Sequence, residues 1–157
     1  SSKFRICILS GWATSYVIDN DFKLLIKEAL KRGVKVYLGF GYQSSEKKIN
    51  TKYEDKAAKF LWELREWCQN IQGNGEIEVF EFANHAKVLI KDDEYVVIGS
   101  FNWLSNAKGR NLERSWIVKD KFLVDNEFDE VLSIMKELRK VEKRHFIKKF
   151  FPGLLKK

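Results

Sequence analysis

The sequence predicts an α/β domain in which a mixed or parallel sheet lies between helices on both of its faces. The first observation is the order strand, helix, glycine, strand across residues 4–40, which is typical of a right-handed βαβ unit. The second is a further helix and strand across residues 53–82, which repeat that alternation. The third is size, because 157 residues with 45% hydrophobic content suit one domain that buries about 70% of its unfolded surface.

The first βαβ unit is predicted from its periodicity and its stop signal. Residues 4–10 alternate in polarity as a strand does. A helix capped by Asn20 or Asp21 follows, because apolar residues then recur at helical spacing. Gly33 is placed to end this helix as a left-handed residue, and residues 34–40 read as a buried strand.

The remaining elements are predicted from the same helical and strand periodicities of apolar residues. A helix is predicted over residues 53–71, a strand over 76–82 and a third helix over 125–139. Residues 141–157 form a basic, aromatic tail that we expect to be helical and solvated. The side chains expected to be buried on the second and third helices are Ala57, Phe60, Leu61, Leu64, Trp67 or Cys68, and Phe128, Val131, Leu132, Met135, Leu138.

Composition limits the partners and the compartment. Lysine and arginine outnumber aspartate and glutamate by 29 to 22, and the resulting charge of +7 favours a polyanionic partner. Cys7 and Cys68 have no CxxC neighbour, so we expect two buried free thiols in a reducing, cytoplasmic setting. The sequence contains no run of 18 apolar residues, so it predicts no transmembrane helix, and we do not expect membrane association.

A histidine and a lysine two residues apart form the first part of a candidate site. His85 and Lys87 lie in an apolar, strand-like run, so we expect both side chains on one face. Imidazole has a pKa of about 6.5, and it can attack as the neutral base or donate a proton as the cation. The lysine ammonium beside it can bind a non-bridging phosphate oxygen. Asp92 opens the polar break that follows this run.

A second part follows the next strand-like run, residues 95–99. Ser100 and Asn102 lie in a tight turn and supply neutral hydrogen-bond donors, while Gly99 allows backbone to approach closely. A phosphodiester is anionic and has a poor leaving group, so its cleavage needs charge neutralisation, a nucleophile and a proton donor. The two parts together provide these groups.

The residue types and spacings of this segment resemble the HKD motif of the phospholipase D superfamily, and most closely that of its small single-motif nucleases. The βαβ unit also resembles the segment that precedes the motif in phospholipase D-like domains, so the resemblance implies their fold. The matching positions are His85, Lys87, Asp92, Gly99, Ser100 and Asn102, with Glu113 where the small nucleases have an acidic partner for the histidine.

The resemblance implies a mechanism through a covalent phosphohistidine, with no metal and no cofactor. His85 would attack phosphorus, and the equivalent histidine of a second HKD half would protonate the leaving group. Glu113 would orient the imidazole, whereas Asp92 would be mainly structural. We therefore predict a metal-independent nuclease whose site residues are His85, Lys87, Asp92, Ser100, Asn102 and Glu113, with Asp92 in a structural or a catalytic supporting role.

Only one HKD motif is present, so the second half must come from a symmetric partner chain or from another part of a longer protein. We expect the chain to be the C-terminal part of a larger protein, because family domains carry a further strand and helix before residue 4. DNA rather than RNA is the expected partner. Two alternatives are a phospholipase D or phosphatidyltransferase that acts on phospholipid, and a non-catalytic DNA-binding or dimerisation module.

Overall fold

A computed structural model describes residues 2–41, 51–68, 73–105 and 112–150, and it describes side chains for all of these except residues 51–58 and 140–150. The predicted alternation of strands and helices is present. In chain order the described elements are β1 (Arg5–Ser10), α1 (Asn20–Lys31), β2 (Lys35–Phe40), α2 (Thr51–Cys68), β3 (Glu76–Glu81), β4 (Val88–Lys91), β5 (Tyr95–Gly99), β6 (Ser115–Val118) and α3 (Lys121–Phe150).

The strands form one mixed sheet in the order β3-β2-β1-β4-β5-β6. β1, β2 and β3 are parallel, as a βαβ connection requires, and β4, β5 and β6 continue the sheet as antiparallel neighbours. The chain therefore enters the sheet at β1, builds one side with parallel strands, and returns to the other edge of β1 with β4. The predicted mixed α/β fold is confirmed.

Helices α1 and α2 cover the face of the sheet that carries the side chains of Val36, Leu38 and Val79. Ile26 and Leu30 of α1 are 5% and 2% exposed and pack into this layer. From α2 the predicted stripe is buried or half-buried at Phe60, Leu61, Leu64, Trp67 and Cys68, while the side chain of Ala57 lies outside the described residues.

Helix α3 covers the opposite face of the sheet. Its residues Phe128, Val131 and Met135 pack with Cys7 and Phe80 in a second core, and the predicted Leu132 and Leu138 are half-buried beside them. Two apolar layers on opposite faces of one sheet make the three-layer α/β/α arrangement that the sequence predicts.

Two boundaries of the first helix test the sequence rules directly. The N-cap is Asp19, whose carboxylate accepts a hydrogen bond from the backbone N–H of Phe22 at 2.9 Å, so the expectation of Asn20 or Asp21 was one to two residues late. Gly33 has φ of 84°, which confirms the left-handed residue predicted after the helix.

The third helix begins four residues earlier than predicted and continues to Phe150, so it includes the first ten residues of the basic tail. We predicted residues 141–157 as a helical tail separate from the third helix, whereas residues 141–150 continue that helix without a break. Residues 151–157 of the predicted tail lie outside the described residues. Among the helices that the structure describes, none combines the length and the apolar character needed to cross a bilayer.

Both cysteines are buried free thiols, as predicted. Burial raises the pKa of Cys7 to about 12 and that of Cys68 to about 11, so both are protonated at neutral pH. Neither thiol has the lowered pKa of a nucleophile. They act as small apolar core groups.

Candidate active site

The polar motif residues lie at one end of the sheet, which we call the site end. Here the parallel strand β1 finishes at Ser10, and β4, antiparallel to it, begins at Val88. The register continues this end across the sheet, because Val88 is opposite Ile98 and Gly99 is opposite Ser115. Segments that precede β4 and β6 and that follow β5 therefore meet there.

His85 and Lys87 lie just before β4 rather than within it, because β4 begins at Val88. The expectation that His85 and Lys87 lie within a strand is therefore wrong. Instead, the ammonium Nζ of Lys87 donates a hydrogen bond to the backbone carbonyl of His85 at 2.6 Å. Lys87 is only 8% exposed, whereas His85 is exposed. This hydrogen bond places the buried ammonium of Lys87 next to the backbone of His85, the candidate nucleophile.

Burial lowers the pKa of the Lys87 ammonium from its ordinary value of 10.5, while the Glu113 carboxylate acts in the opposite direction. Desolvation disfavours the charged form, and a nearby carboxylate favours it. The electrostatic influence of Glu113 on Lys87 means that the segment before β6 reaches the same site as the segment before β4.

Ser100 and Glu113 are in direct contact. The hydroxyl of Ser100 donates a short hydrogen bond to Oε2 of Glu113 and accepts one from the backbone N–H of Arg114 at 3.1 Å. The backbone N–H of Ser100 donates to the carbonyl of Arg114 at 3.0 Å. In the preceding residue, the backbone N–H of Gly99 donates to the carbonyl of Lys87 at 3.3 Å. These bonds tie both predicted parts of the motif together.

Gly11 places Asn102 next to His85. A Cβ added to Gly11 would lie 3.3 Å from Oδ1 of Asn102 and 3.6 Å from Cα of His85, so both residues lie close to the open side of this glycine. Oδ1 of Asn102 is buried, with no hydrogen-bond partner among the described residues. The other end of this amide is a donor, which is the group that an anionic ligand needs.

The loop after β1 also holds the turn that carries Asn102. The backbone N–H of Thr14 donates to the carbonyl of Leu104 at 2.9 Å, and the backbone N–H of Leu104 donates to the hydroxyl of Ser10 at 3.3 Å. Ser10 is fully buried. Sequence reasoning missed Ser10 and Gly11, whose only local signal was a small-residue pair at a strand end.

Asn84, directly before the candidate nucleophile, was also missed. Its amide nitrogen lies 3.4 Å from each of three carbonyl oxygens, those of Ser10, Gly41 and Phe82. Its backbone N–H donates to the carbonyl of Gly41 at 2.7 Å. Asn84 thereby connects the ends of three parallel strands, and it fixes the backbone from which His85 projects.

Asp92 lies at the other end of β4, about 16.5 Å along the strand from Lys87 at 3.3 Å per residue. Its fully buried carboxylate accepts hydrogen bonds from the hydroxyl of Ser2 and from the backbone N–H groups of Lys3, Phe4 and Arg5, all at 2.8–2.9 Å. The structure therefore does not bring Asp92 to the site. Its contacts are those of a structural residue that holds the start of β1.

Of the six predicted site residues, five meet at the site end and Asp92 does not. The proposed orientation of the His85 imidazole by Glu113 stays a prediction. Within the described part of the chain, no group of three or more His, Cys, Asp or Glu side chains is placed to hold a metal ion. The site can offer an exposed imidazole, a buried ammonium, a serine hydroxyl, an amide and a carboxylate.

Comparison with known proteins gives the family context of this geometry. The family described as the phospholipase D-like domain of cardiolipin synthase matches residues 4–139. Among solved structures, Nuc from Salmonella typhimurium, a phospholipase D family member, is 21% identical with a TM-score of 0.60, and the match covers 88% of this chain and 81% of Nuc. NucT from Helicobacter pylori is 21% identical with a TM-score of 0.55, covering 87% of this chain and 81% of NucT.

A larger protein shares the fold over part of its length. The phosphatidylserine synthase of Haemophilus influenzae Rd KW20 is 16% identical with a TM-score of 0.53, and the match covers 94% of this chain but 40% of the synthase. At these identities the likeness to solved structures concerns the fold. A comparison with curated protein sequences found no significant match.

Proposed function

This chain belongs to the phospholipase D-like family, and on that premise we propose that it is a metal-independent nuclease that cleaves DNA. The observation that carries the proposal is the meeting of His85, Lys87, Ser100, Asn102 and Glu113 at one end of the sheet. Charge neutralisation, a nucleophile and neutral donors are the groups that phosphodiester cleavage needs.

In the proposed reaction, an imidazole nitrogen of His85 attacks phosphorus and forms a P–N bond while the P–O bond to the leaving group breaks. The imidazolium of a second HKD half gives its proton to the leaving oxygen. Water then attacks the phosphohistidine, the P–N bond breaks, and the phosphate monoester leaves. Lys87 and the amide of Asn102 would stabilise the charge on the non-bridging oxygens.

The second half of the site is proposed to come from a second copy of this chain. The sequence contains one HKD motif and two histidines in all, and the other, His145, has no motif around it. A two-fold axis would bring the same residues of two chains to one shared site. An HKD half elsewhere in a longer protein would serve the same chemistry.

Charge and size support nucleic acid as the substrate. The chain carries +7 at neutral pH, and cationic surfaces supply most of the sequence-independent affinity for a phosphate backbone. The match covers 81% of both Nuc and NucT but 40% of the phosphatidylserine synthase. The matched segment therefore spans most of Nuc and NucT but less than half of the synthase.

A phospholipid substrate is the second candidate, because the matching family is described as the phospholipase D-like domain of cardiolipin synthase, and one structural neighbour is a phosphatidylserine synthase. The same residues could form a phosphatidyl-histidine and pass it to an alcohol or to water. The two candidates share the reacting group and differ in what the rest of the molecule must bind.

A substrate panel tests the proposal. The chain is incubated in EDTA with plasmid DNA, single-stranded DNA, RNA and phosphatidylcholine vesicles, and the products are separated. We expect DNA cleavage that is unaffected by EDTA and that weakens steeply as salt is raised, because counterions are released on binding. Choline or phosphatidic acid release without DNA cleavage would establish the lipid candidate. DNA binding without turnover would indicate a non-catalytic module.

Gly11→Ala tests the backbone contact at the site. The new Cβ would lie 3.3 Å from Oδ1 of Asn102, so the asparagine side chain must move by a few tenths of an ångström, whereas the 3.6 Å to Cα of His85 is ordinary contact. Displacements of this size in an active site change rates strongly, so we expect kcat to fall about tenfold. Because Gly→Ala also restricts the unfolded chain, the change in stability should stay within about 1 kcal/mol.

Gly39→Ala is the matched control for this prediction. Its Cβ would meet Sδ of Met135 at 2.6 Å and Cδ1 of Leu9 at 2.7 Å, inside the α3 core rather than at Asn102. We expect a lower melting temperature with near-normal kcat, the reverse of the Gly11 variant. Equal activity of Gly11→Ala and wild type would show that this contact does not set the site geometry.

A further inference from the structure

Three aromatic residues lie in the two loops that meet at Asn102. Phe101 and Trp103 are its neighbours in the chain, and their rings meet edge to face, with centroids 5.0 Å apart and planes at 68°. Trp12 lies in the loop after β1, where it directly follows Gly11, the glycine beside Asn102. We call Trp12, Phe101 and Trp103 the aromatic set. These residues flank a member of the candidate site, although none of them belongs to the proposed catalytic group.

Hydrogen bonds hold the two loops together. The backbone N–H of Thr14 donates to the carbonyl of Leu104 at 2.9 Å, and the hydroxyl of Thr14 donates to the carbonyl of Ser105 at 3.2 Å. The backbone N–H of Ser105 donates to the carbonyl of Asn102 at 3.0 Å, which closes a turn with Trp103 as its second residue. The aromatic set is therefore carried by one connected piece of backbone whose position relative to the site is fixed.

The aromatic set lies outside the apolar cores. The buried residues of the same two loops are Ala13, Ile18 and Leu104, which are 3%, 1% and 0% exposed and belong to the core beneath α1 and α2. The aromatic set is half-buried and packs in neither of the two described core clusters. An edge-to-face contact occupies one face of one ring only. Part of this aromatic surface is therefore accessible at the site end.

The same loops carry no charge. Residues 11–18 and 99–105 contain no Asp, Glu, Lys or Arg, although these types make up 32% of the chain. Binding of a DNA duplex without sequence preference depends mainly on Lys and Arg contacts to phosphates. Binding of a single strand adds aromatic side chains on which successive bases stack. Aromatic residues without charged neighbours beside Asn102 therefore favour a single strand at this part of the site.

We propose that the aromatic set stacks against unpaired bases next to the scissile phosphate, so that the substrate is single-stranded DNA. The inference rests on the proposed function, in which the amide of Asn102 contacts a non-bridging oxygen. Consecutive Cα atoms are about 3.8 Å apart, so Phe101 and Trp103 are within reach of the nucleotide whose phosphate meets Asn102. A duplex shows only the edges of its bases in the grooves, whereas an unpaired base presents a face.

Binding of labelled oligonucleotides to the His85→Ala protein tests the proposal in the absence of cleavage. Fluorescence anisotropy would compare a short single strand with a duplex of the same sequence at raised salt, where phosphate contacts contribute less. We expect the single strand to bind about tenfold more tightly, as for one base stacked on an aromatic side chain. Equal or tighter binding of the duplex under these conditions would overturn the proposal.

Two substitutions of Trp103 in the same background separate stacking from packing. Trp103→Leu should weaken single-strand binding about tenfold and leave duplex binding unchanged, because leucine fills apolar space but has no ring face. Trp103→Phe should restore most of the affinity, since a phenyl ring can stack. Damage to the fold would instead lower both affinities together with the melting temperature. If both variants bind the single strand as wild type does, Trp103 is not a stacking residue.

Phe122→Leu is the matched control, because it removes an exposed ring from the opposite end of the sheet. Phe122 is 71% exposed, and its neighbour Lys121 pairs with Asp93, next to Asp92 at the far end of β4. This variant should bind single strands and duplexes as the His85→Ala parent does.

An abasic single strand removes the bases instead of the ring. We expect it to bind the His85→Ala protein about tenfold more weakly than the normal strand, and Trp103→Leu should cause no further loss on the abasic strand. Losses that simply add would show that Trp103 does not act through the bases.

The outcomes separate this proposal from the proposed nuclease function. Cleavage of single strands and duplexes at equal rates, unchanged by Trp103→Leu, would overturn the stacking role and leave the nuclease intact. Single-strand binding that depends on Trp103, in a wild-type chain that cleaves no DNA, would support stacking and contradict the nuclease. Binding to phosphatidylcholine vesicles that weakens in Trp103→Leu, without any preference for single strands, would overturn the proposal in favour of a lipid headgroup.

Discussion

His85→Ala is expected to abolish phosphodiester cleavage by this chain, with a loss of at least about 10⁴-fold in kcat. The imidazole is the proposed nucleophile, and removal of a nucleophile from an active site that acts as a unit costs several orders of magnitude. Stability should change little, because the His85 side chain is exposed. Initial rates on plasmid DNA in EDTA, measured with the melting temperature, would check both parts.

His145→Ala is the matched control, because it removes the other histidine of the sequence. This variant should keep wild-type rates. Cleavage that persists in His85→Ala, or disappears equally in both variants, would place the chemistry elsewhere than at the site end of the sheet.

A covalent intermediate gives the same variant a second readout. Rapid denaturation of a reaction on ³²P-labelled substrate should leave label on the wild-type chain and none on His85→Ala. A phosphohistidine loses its label in acid and keeps it in base, which distinguishes the P–N bond from a serine ester. Label attached to Ser100 instead would contradict the assignment of His85.

Asp92→Asn is expected to lower the free energy of unfolding by about 2–3 kcal/mol, although Asp92 lies at the other end of β4 from the site. Its Oδ1 accepts from Ser2, Phe4 and Arg5, and its Oδ2 accepts from Lys3. Asparagine keeps one acceptor oxygen but loses the charge and turns an NH₂ group toward one donor. It also tolerates the φ of 53° at this position. Urea unfolding would measure the change.

Asp92→Ala should cost more, about 3–5 kcal/mol, because every donor loses its partner and alanine is strained at this φ. Asp93→Ala is the control in the adjacent residue. Its carboxylate pairs with Lys121 at 2.6 Å on the surface, where an ion pair contributes little. An Asp92 variant as stable as the Asp93 variant would contradict the structural role.

The contribution of Asp92 should also depend on pH. Burial by itself would raise the pKa of this carboxyl, but the hydrogen bonds from Arg5, Phe4, Lys3 and Ser2 together lower it below its ordinary value of 3.8. A carboxyl group whose pKa is lower in the folded than in the unfolded state stabilises the fold at pH values above its unfolded pKa. This stabilisation is lost as the pH falls through the folded pKa. The difference in unfolding free energy between wild type and Asp92→Asn should therefore be full near neutral pH and shrink below about pH 4.

Much of the fold follows from local patterns. The period of two in residues 5–10 and the helical period that follows it, ended by Gly33, describe a βαβ unit without any tertiary information. Boundaries were less accurate. β4 begins only at Val88. Before it, the amide of Asn84 bonds to the carbonyl groups of Ser10, Gly41 and Phe82, and the ammonium of Lys87 bonds to the carbonyl of His85.

The sequence by itself determined which groups the candidate site offers, because an imidazole, an ammonium, a hydroxyl and an amide occur at the spacing of a known motif. Nearness in the chain does not decide the site, since Asp92 is five residues from Lys87 and lies at the other end of β4.

Only the tertiary structure decided that Gly11 lies beside Asn102, that Asn84 joins three strand ends, and that the two loops of the aromatic set bond to each other. Such contacts join residues as many as 94 positions apart, as between Ser10 and Leu104. They depend on the strand order, which is set by packing of the whole core rather than by any local pattern.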